Sequence, residues 1–209
     1  MIADTTLSID AFLDAAAAKQ PTPGGGSVTA LVGALAASMG EMVLNYSIGK
    51  KKLARYESEL RTALARLTRL RQMLLELLRE DQIAFAALSE MRKLSDAVPD
   101  KQSQIAAALA ASIALPQEIA AAADEVLQLC DPLVEQVNFY LLSDLAVAAD
   151  LAMATLRCAI YNVRVNLADV TDARERERIE KVNQHLLDRG VALIRHLSPR
   201  IWERHARGE

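Results

Sequence analysis

Aromatic residues are scarce, at 4% of 209 residues, and runs of β-branched residues are short. Strands draw on both classes, so the composition excludes a sheet-rich protein and points to an alanine- and leucine-rich all-α fold. Cysteine is nearly absent. Cys130 and Cys158 show no CxxC spacing, which excludes a disulfide framework and a cysteine metal site and predicts two reduced core residues in a cytoplasmic protein. No metal site is expected. Positive charge is not in excess: 24 Lys and Arg against 27 Asp and Glu give a net charge of −3, which argues against a nucleic-acid partner. Met1-Ile2-Ala3-Asp4 lacks the basic and apolar regions of a signal peptide. No linker-like stretch interrupts the chain, so a single domain over 1–209 is expected.

Glycine is also sparse, eight in all, yet three fall together in Pro21-Thr22-Pro23-Gly24-Gly25-Gly26-Ser27. Glycine loses the most freedom on folding, so three in a row ahead of an apolar helix imply a use for the bare backbone. Two prolines stiffen the approach and Ser27 can cap the helix that follows. A loop of this kind either binds anions or carbonyl oxygens through free N–H groups, with a ligand coming close, or is a tight turn with no ligand.

The remaining pattern is helical. An amphipathic segment, 8–19, precedes the glycines. The segment 27–48 is almost wholly small or apolar apart from Glu41 and Asn45. Its small residues and Glu41 argue against a membrane span and for a bundle core or dimer interface. Gly49 reads as a helix C-cap, with Lys50, Lys51 and Lys52 at the negative end of the dipole. Between 52 and 94, Leu53, Leu60, Leu67, Leu74 and Leu88 repeat at seven-residue spacing beside Tyr56, Ala63, Leu70, Leu77 and Met91. Asp81 occupies the vacant place in the first row. A carboxylate in an apolar seam must be paired, hydrogen-bonded or protonated, so it marks either a structural pair or a functional site.

Val98-Pro99-Asp100 interrupts the chain, and a small-residue helix runs from 102 to 115 and on towards Cys130, with Pro116 as a kink or a new start. A short helix through Asn138 and Tyr140 precedes a second nearly uncharged helix, 143–170, opened by Ser143-Asp144. Asn162 and Asn166 lie one turn apart there, as mutual hydrogen-bond partners or as donors for a polar heterocycle. A charged helix, 172–196, closes the pattern, and His185, His196 and His205 read as surface residues.

Four pieces in order, Pro-Thr-Pro-Gly-Gly-Gly-Ser-Val at 21–28, Ile-Gly-Lys-Lys-Lys at 48–52, Glu-Asp-Gln-Ile-Ala-Phe at 80–85, and Ser-Asp-Leu-Ala-Val-Ala-Ala-Asp at 143–150 leading to Asn-Val-Arg-Val-Asn-Leu at 162–167, resemble the cyclodeaminase/cyclohydrolase family. The resemblance covers almost the whole chain. It implies a dimeric helical bundle that acts on a tetrahydrofolate derivative, free or polyglutamylated, near the subunit interface, with no other cofactor and no membrane.

Carried over, the resemblance makes Gly24, Gly25, Gly26 and Ser27 the loop facing folate. It adds Asp81, Asp144, Lys50 and Lys51 as catalytic candidates, and Lys52, Asn162 and Asn166 as binding candidates. A methenyl bridge between N5 and N10 is an amidinium-like cation, so water attack on its carbon wants a carboxylate as general base: Asp81 or Asp144. Cyclodeamination instead needs a proton on the departing ammonia, which a lysine would supply, although the same lysines could hold a glutamate tail. Methenyltetrahydrofolate cyclohydrolase is the expected activity and formiminotetrahydrofolate cyclodeaminase the alternative. A non-catalytic helical interaction protein would use the heptads but gains nothing from Asp81.

Overall fold

The computed structural model describes residues 8–93 and 100–208, and no strand occurs among them. Helix α1 (Ile9–Ala17) leads to α2 (Gly25–Asn45); a 3-10 turn (Lys51–Tyr56) opens α3 (Glu57–Lys93), and α4 (Lys101–Gln136) follows. A second 3-10 turn (Phe139–Leu141) precedes α5 (Leu142–Leu167), and α6 (Ala173–Arg207) ends the chain. The all-α class follows as the composition predicts. Residues 1–7, including the segment read for a signal peptide, lie outside the described residues, as do Leu94, Val98 and Pro99. Asp100 is described: it caps α4 from a left-handed conformation, φ 59°.

Helices α2 to α5 share one core. Helix α3 starts at Glu57 and not at 52; within it the heptad rows are buried at Leu60, Leu67, Leu74 and Leu88 on one side and Ala63, Leu70 and Leu77 on the other, whereas Leu53 and Tyr56 fall in the 3-10 turn and, like Met91, are half-buried. Gly33 and Gly40 of α2 allow that packing, because a Cβ at either position would press on Leu74 or Leu67 of α3. Glu41, the charge inside α2, is answered from α3 by Arg71 Nε at 2.6 Å and by the Thr68 hydroxyl. Helix α6 packs across α4 and α5, with Arg189 paired to the buried Asp124 of α4. Segments 25–45, 101–136 and 139–167 are long and apolar enough, by length and composition, to cross a membrane.

Several local expectations are corrected. Helix α2 starts at Gly25 with Gly24 as its cap, so Ser27 is its third residue and not the cap. Gly24 has φ −107°, and neither Gly25 nor Gly26 has positive φ, so the run is not there for left-handed backbone. Gly49 does adopt φ 77°, but the helix has already ended at Tyr46, and the Gly49 N–H donates to Glu57 Oε2. Pro116 and Pro132 both lie inside a continuous α4. At its C-terminus the Arg204 guanidinium donates to the Val134 and Val137 carbonyls, where α4 runs out of helical donors. Helix α5 begins at Leu142 with Leu141 as cap, two residues ahead of the Ser143 cap predicted. Cys130 is buried, its thiol pushed up to about 12 by desolvation and by Asp131. Cys158 is exposed, because it falls on the outer face of α5. All three histidines are exposed, as expected.

Candidate active site

The first turn of any α-helix leaves N–H groups without helical partners, and a glycine cap supplies no side chain to meet them. In α2 the missing acceptor comes from another helix. The Ser27 hydroxyl donates to Asp81 Oδ2 at 2.8 Å, and the Ser27 backbone N–H bonds the same carboxylate. A Cβ on Gly26 would fall within the Asp81 carboxyl group. Gly26 is therefore required by a protein side chain, not by a ligand as the sequence suggested.

Gly25 has an equally specific neighbour, since its Cβ would lie 3.1 Å from Asn162 Oδ1 on α5. The Asn162 amide donates to the Thr29 hydroxyl at 3.3 Å, and that hydroxyl donates to the Gly25 carbonyl at 2.6 Å. One turn further along α5, Asn166 Nδ2 donates to the Ser112 carbonyl of α4 at 2.9 Å and to the Asn162 carbonyl at 3.0 Å. The starts of α2, mid-α3, mid-α4 and the end of α5 thus meet around a cleft of about 200 Å³. Thr22, Gly24 to Gly26, Asp81, Phe85, Asn162 and Asn166 line it. No cationic side chain lines it among the described residues. Burial raises the Asp81 carboxyl above its ordinary 3.8, and the two bonds from Ser27 oppose but do not cancel that shift.

A family model described as formiminotransferase-cyclodeaminase matches residues 8–185. The chain belongs to the formiminotransferase-cyclodeaminase family. It is 33% identical over 201 residues to a methenyltetrahydrofolate cyclohydrolase of Methylorubrum extorquens, covering 94% of each chain. It is 28% identical to the formimidoyltransferase-cyclodeaminase of Gallus gallus, where the match covers 90% of this chain but 36% of the longer protein. Among solved structures it is similar to formiminotetrahydrofolate cyclodeaminase from Thermotoga maritima, with a TM-score of 0.81, 28% identity and 96% of each chain covered.

Within this family domain, the glycine run, Ser27, Asp81, Asn162 and Asn166 come together as the resemblance implied. Lys50, Lys51, Lys52 and Asp144 do not join them. Eighteen residues of α5 separate Asp144 from Asn162, about 27 Å at helical rise. The lysines follow the far end of α2, where Ser47 Oγ accepts from the Asn138 N–H just ahead of α5. Among the described residues no three His, Cys, Asp or Glu assemble as metal ligands. Sequence reasoning missed Thr29, Phe85, Ser112 and Pro116. Thr29 is the only one with a usable signal, a hydroxyl four residues after Gly25 and able to bond back to its carbonyl.

Proposed function

We propose that this enzyme of folate one-carbon metabolism hydrolyses 5,10-methenyltetrahydrofolate to 10-formyltetrahydrofolate. The carrying observation is the Asp81 carboxylate, fixed on Ser27, partly desolvated and facing a cleft without cations. A delocalised N5–C–N10 cation fits such a wall. Asp81 takes a proton as a water oxygen attacks the bridge carbon, and the N5–C bond then breaks, leaving the formyl group on N10. Of the two water protons, one ends on N5 and the other leaves to solvent. Burial makes Asp81 a stronger base than an exposed carboxylate, while the Ser27 hydroxyl fixes which oxygen faces the reaction.

A 200 Å³ cleft is smaller than the pockets that enclose whole drug-sized ligands, roughly 300 to 1,000 Å³. It suits the reacting ring system alone. An apolar groove of about 600 Å³ between α3 and α4, which shares Ala84 with the cleft and is walled by Ile83, Ala87 and Met91, extends from it. That groove suits the arylamine part of the substrate.

The working unit in this reading is a cytoplasmic homodimer, unattached to a membrane, with no cofactor besides the folate. Antiparallel pairing through the outer faces of α2 and α5 carries the partner's lysine run and Asp144 end towards this cleft, because the two clusters sit at opposite ends of the same pair of helices. Lys50, Lys51 and Lys52 then meet the glutamate tail or supply a proton. That second role is what cyclodeamination needs, and the similarity to a cyclodeaminase structure keeps it as the alternative activity. Side-by-side absorbance assays with methenyl- and formimino-tetrahydrofolate decide: turnover of the first supports hydrolysis, turnover of the second alone replaces it with ammonia release, and turnover of neither overturns both.

A further inference from the structure

Proline lacks the backbone N–H that would bond the carbonyl four residues earlier in a helix. Pro116 lies inside α4, so the Ser112 carbonyl has no such helical donor. Asn166 Nδ2 takes its place at 2.9 Å and spends its other hydrogen on the Asn162 carbonyl. Both amide hydrogens are therefore turned into protein. Rotating the amide by half a turn would set its oxygen against two carbonyl oxygens, so the orientation is fixed. The same logic holds at Asn162: Thr29 gives its only hydroxyl proton to the Gly25 carbonyl and must accept from Asn162 Nδ2, which leaves Asn162 Oδ1 over Gly25. Two amide carbonyl oxygens thus join the Asp81 carboxylate around one cleft. This wall accepts hydrogen bonds and offers few.

We propose that Pro116 is a positioning residue and Asn166 a specificity-determining one: the missing helix bond at Ser112 holds Asn166 with its carbonyl oxygen ready to accept N–H groups of the bound heterocycle. Resting on the folate reading above, the ligand edge is the N–H-bearing pyrimidine side of a tetrahydropterin. A ring presenting acceptors there is rejected, because the oxygens would face oxygens.

Pro116→Ala restores an N–H that can bond the Ser112 carbonyl and removes one anchor of Asn166. The expected result is a KM for methenyltetrahydrofolate raised roughly threefold to tenfold, the value of one hydrogen bond, with kcat changed less than about twofold. Its melting temperature should be equal or higher, since a helix interior gains from losing proline. Asn166→Ala should raise KM at least as much. If Pro116 is merely a tolerated helix residue, Pro116→Ala melts higher with KM unchanged, and the proposal is overturned. Should the wild type turn over neither folate, the functional reading fails while titration with 6-methyltetrahydropterin still decides this one. Weaker binding by both variants supports it; equal affinity across wild type, Pro116→Ala and Asn166→Ala overturns it.

Discussion

Ser27 and Asp81, 54 residues apart, are joined by a 2.8 Å hydrogen bond from the serine hydroxyl to Oδ2 of the carboxylate. The bond connects the two oddities of the chain, its glycine run and the break in its heptad. Asp81 leaves the apolar register of α3 because it is needed at the start of α2, and Gly26 is bare because the carboxylate occupies the space of a side chain. A site built this way is sensitive to single methyl groups.

Gly26→Ala should therefore act as an Asp81 variant. The added methyl has no room beside the carboxylate and must displace it, so turnover should fall by about 10²-fold or more, in the range of losing a general base. Circular dichroism should show nearly unchanged helix content, since alanine is the better helix former. Combined with Asp81→Asn, the two losses should fail to add in a double-mutant cycle. Additive losses would mean that Gly26 serves something other than Asp81.

Asp81→Asn keeps the shape and an oxygen able to accept from Ser27 while removing the charge. Turnover is expected to drop by about 10² to 10⁴. Retention of more than about a third of wild-type turnover on both folates would remove Asp81 from the chemistry.

Acidity offers an independent check. Burial holds the Asp81 carboxyl above 3.8 in the folded state, so the stability it contributes is present below its unfolded value and lost as pH rises through the folded one. Wild type should thus become less stable relative to Asp81→Asn as pH rises from about 3.8 towards neutrality. Catalysis runs the other way, because the base must be ionised: kcat/KM should fall on acidification with a midpoint above 3.8. Chemical denaturation and pH–rate profiles test the two signs separately.

Periodicity alone was enough to find Asp81, because a seven-residue repeat makes one charged position conspicuous. The glycine run was conspicuous too, but its reason was not: φ values and the Asp81 and Asn162 neighbours belong to packing between distant helices. The roles of Ser112 and Pro116 at the cleft were hidden for the same cause, as a freed carbonyl gains a role only when α5 lies beside it. Lys50 to Lys52 and Asp144 were grouped with the site by resemblance, whereas helix rise places them at the other end of the protomer.

Gly25→Val tests the second close approach. Its Cβ alone would stand 3.1 Å from Asn162 Oδ1, and the branch adds further atoms towards the cleft. With no positive φ to strain, loss of folate affinity should exceed loss of melting temperature. A large fall in melting temperature with unchanged affinity in the folded fraction would make Gly25 a packing residue only.

The dimer can be tested at Leu35, the middle residue of α2. Leu35 is half exposed, and Val28 lies one heptad before it on the same face; on α5, Val147 and Tyr161 share a face with Val165, which is 71% exposed. Helix α1 likewise leaves Ile9 and Leu13 uncovered. In an isolated protomer Leu35→Asp is a surface change worth about 0.5 kcal/mol or less. Across a symmetric interface it sets two carboxylates into an apolar contact and costs several kcal/mol. Sedimentation equilibrium should show wild type as a dimer at micromolar concentration and Leu35→Asp as a monomer of unchanged helix content. In the proposed dimer the partner's lysine run serves this cleft, so turnover should fall with dissociation. A wild-type monomer with full turnover would sink both the interface and the shared site.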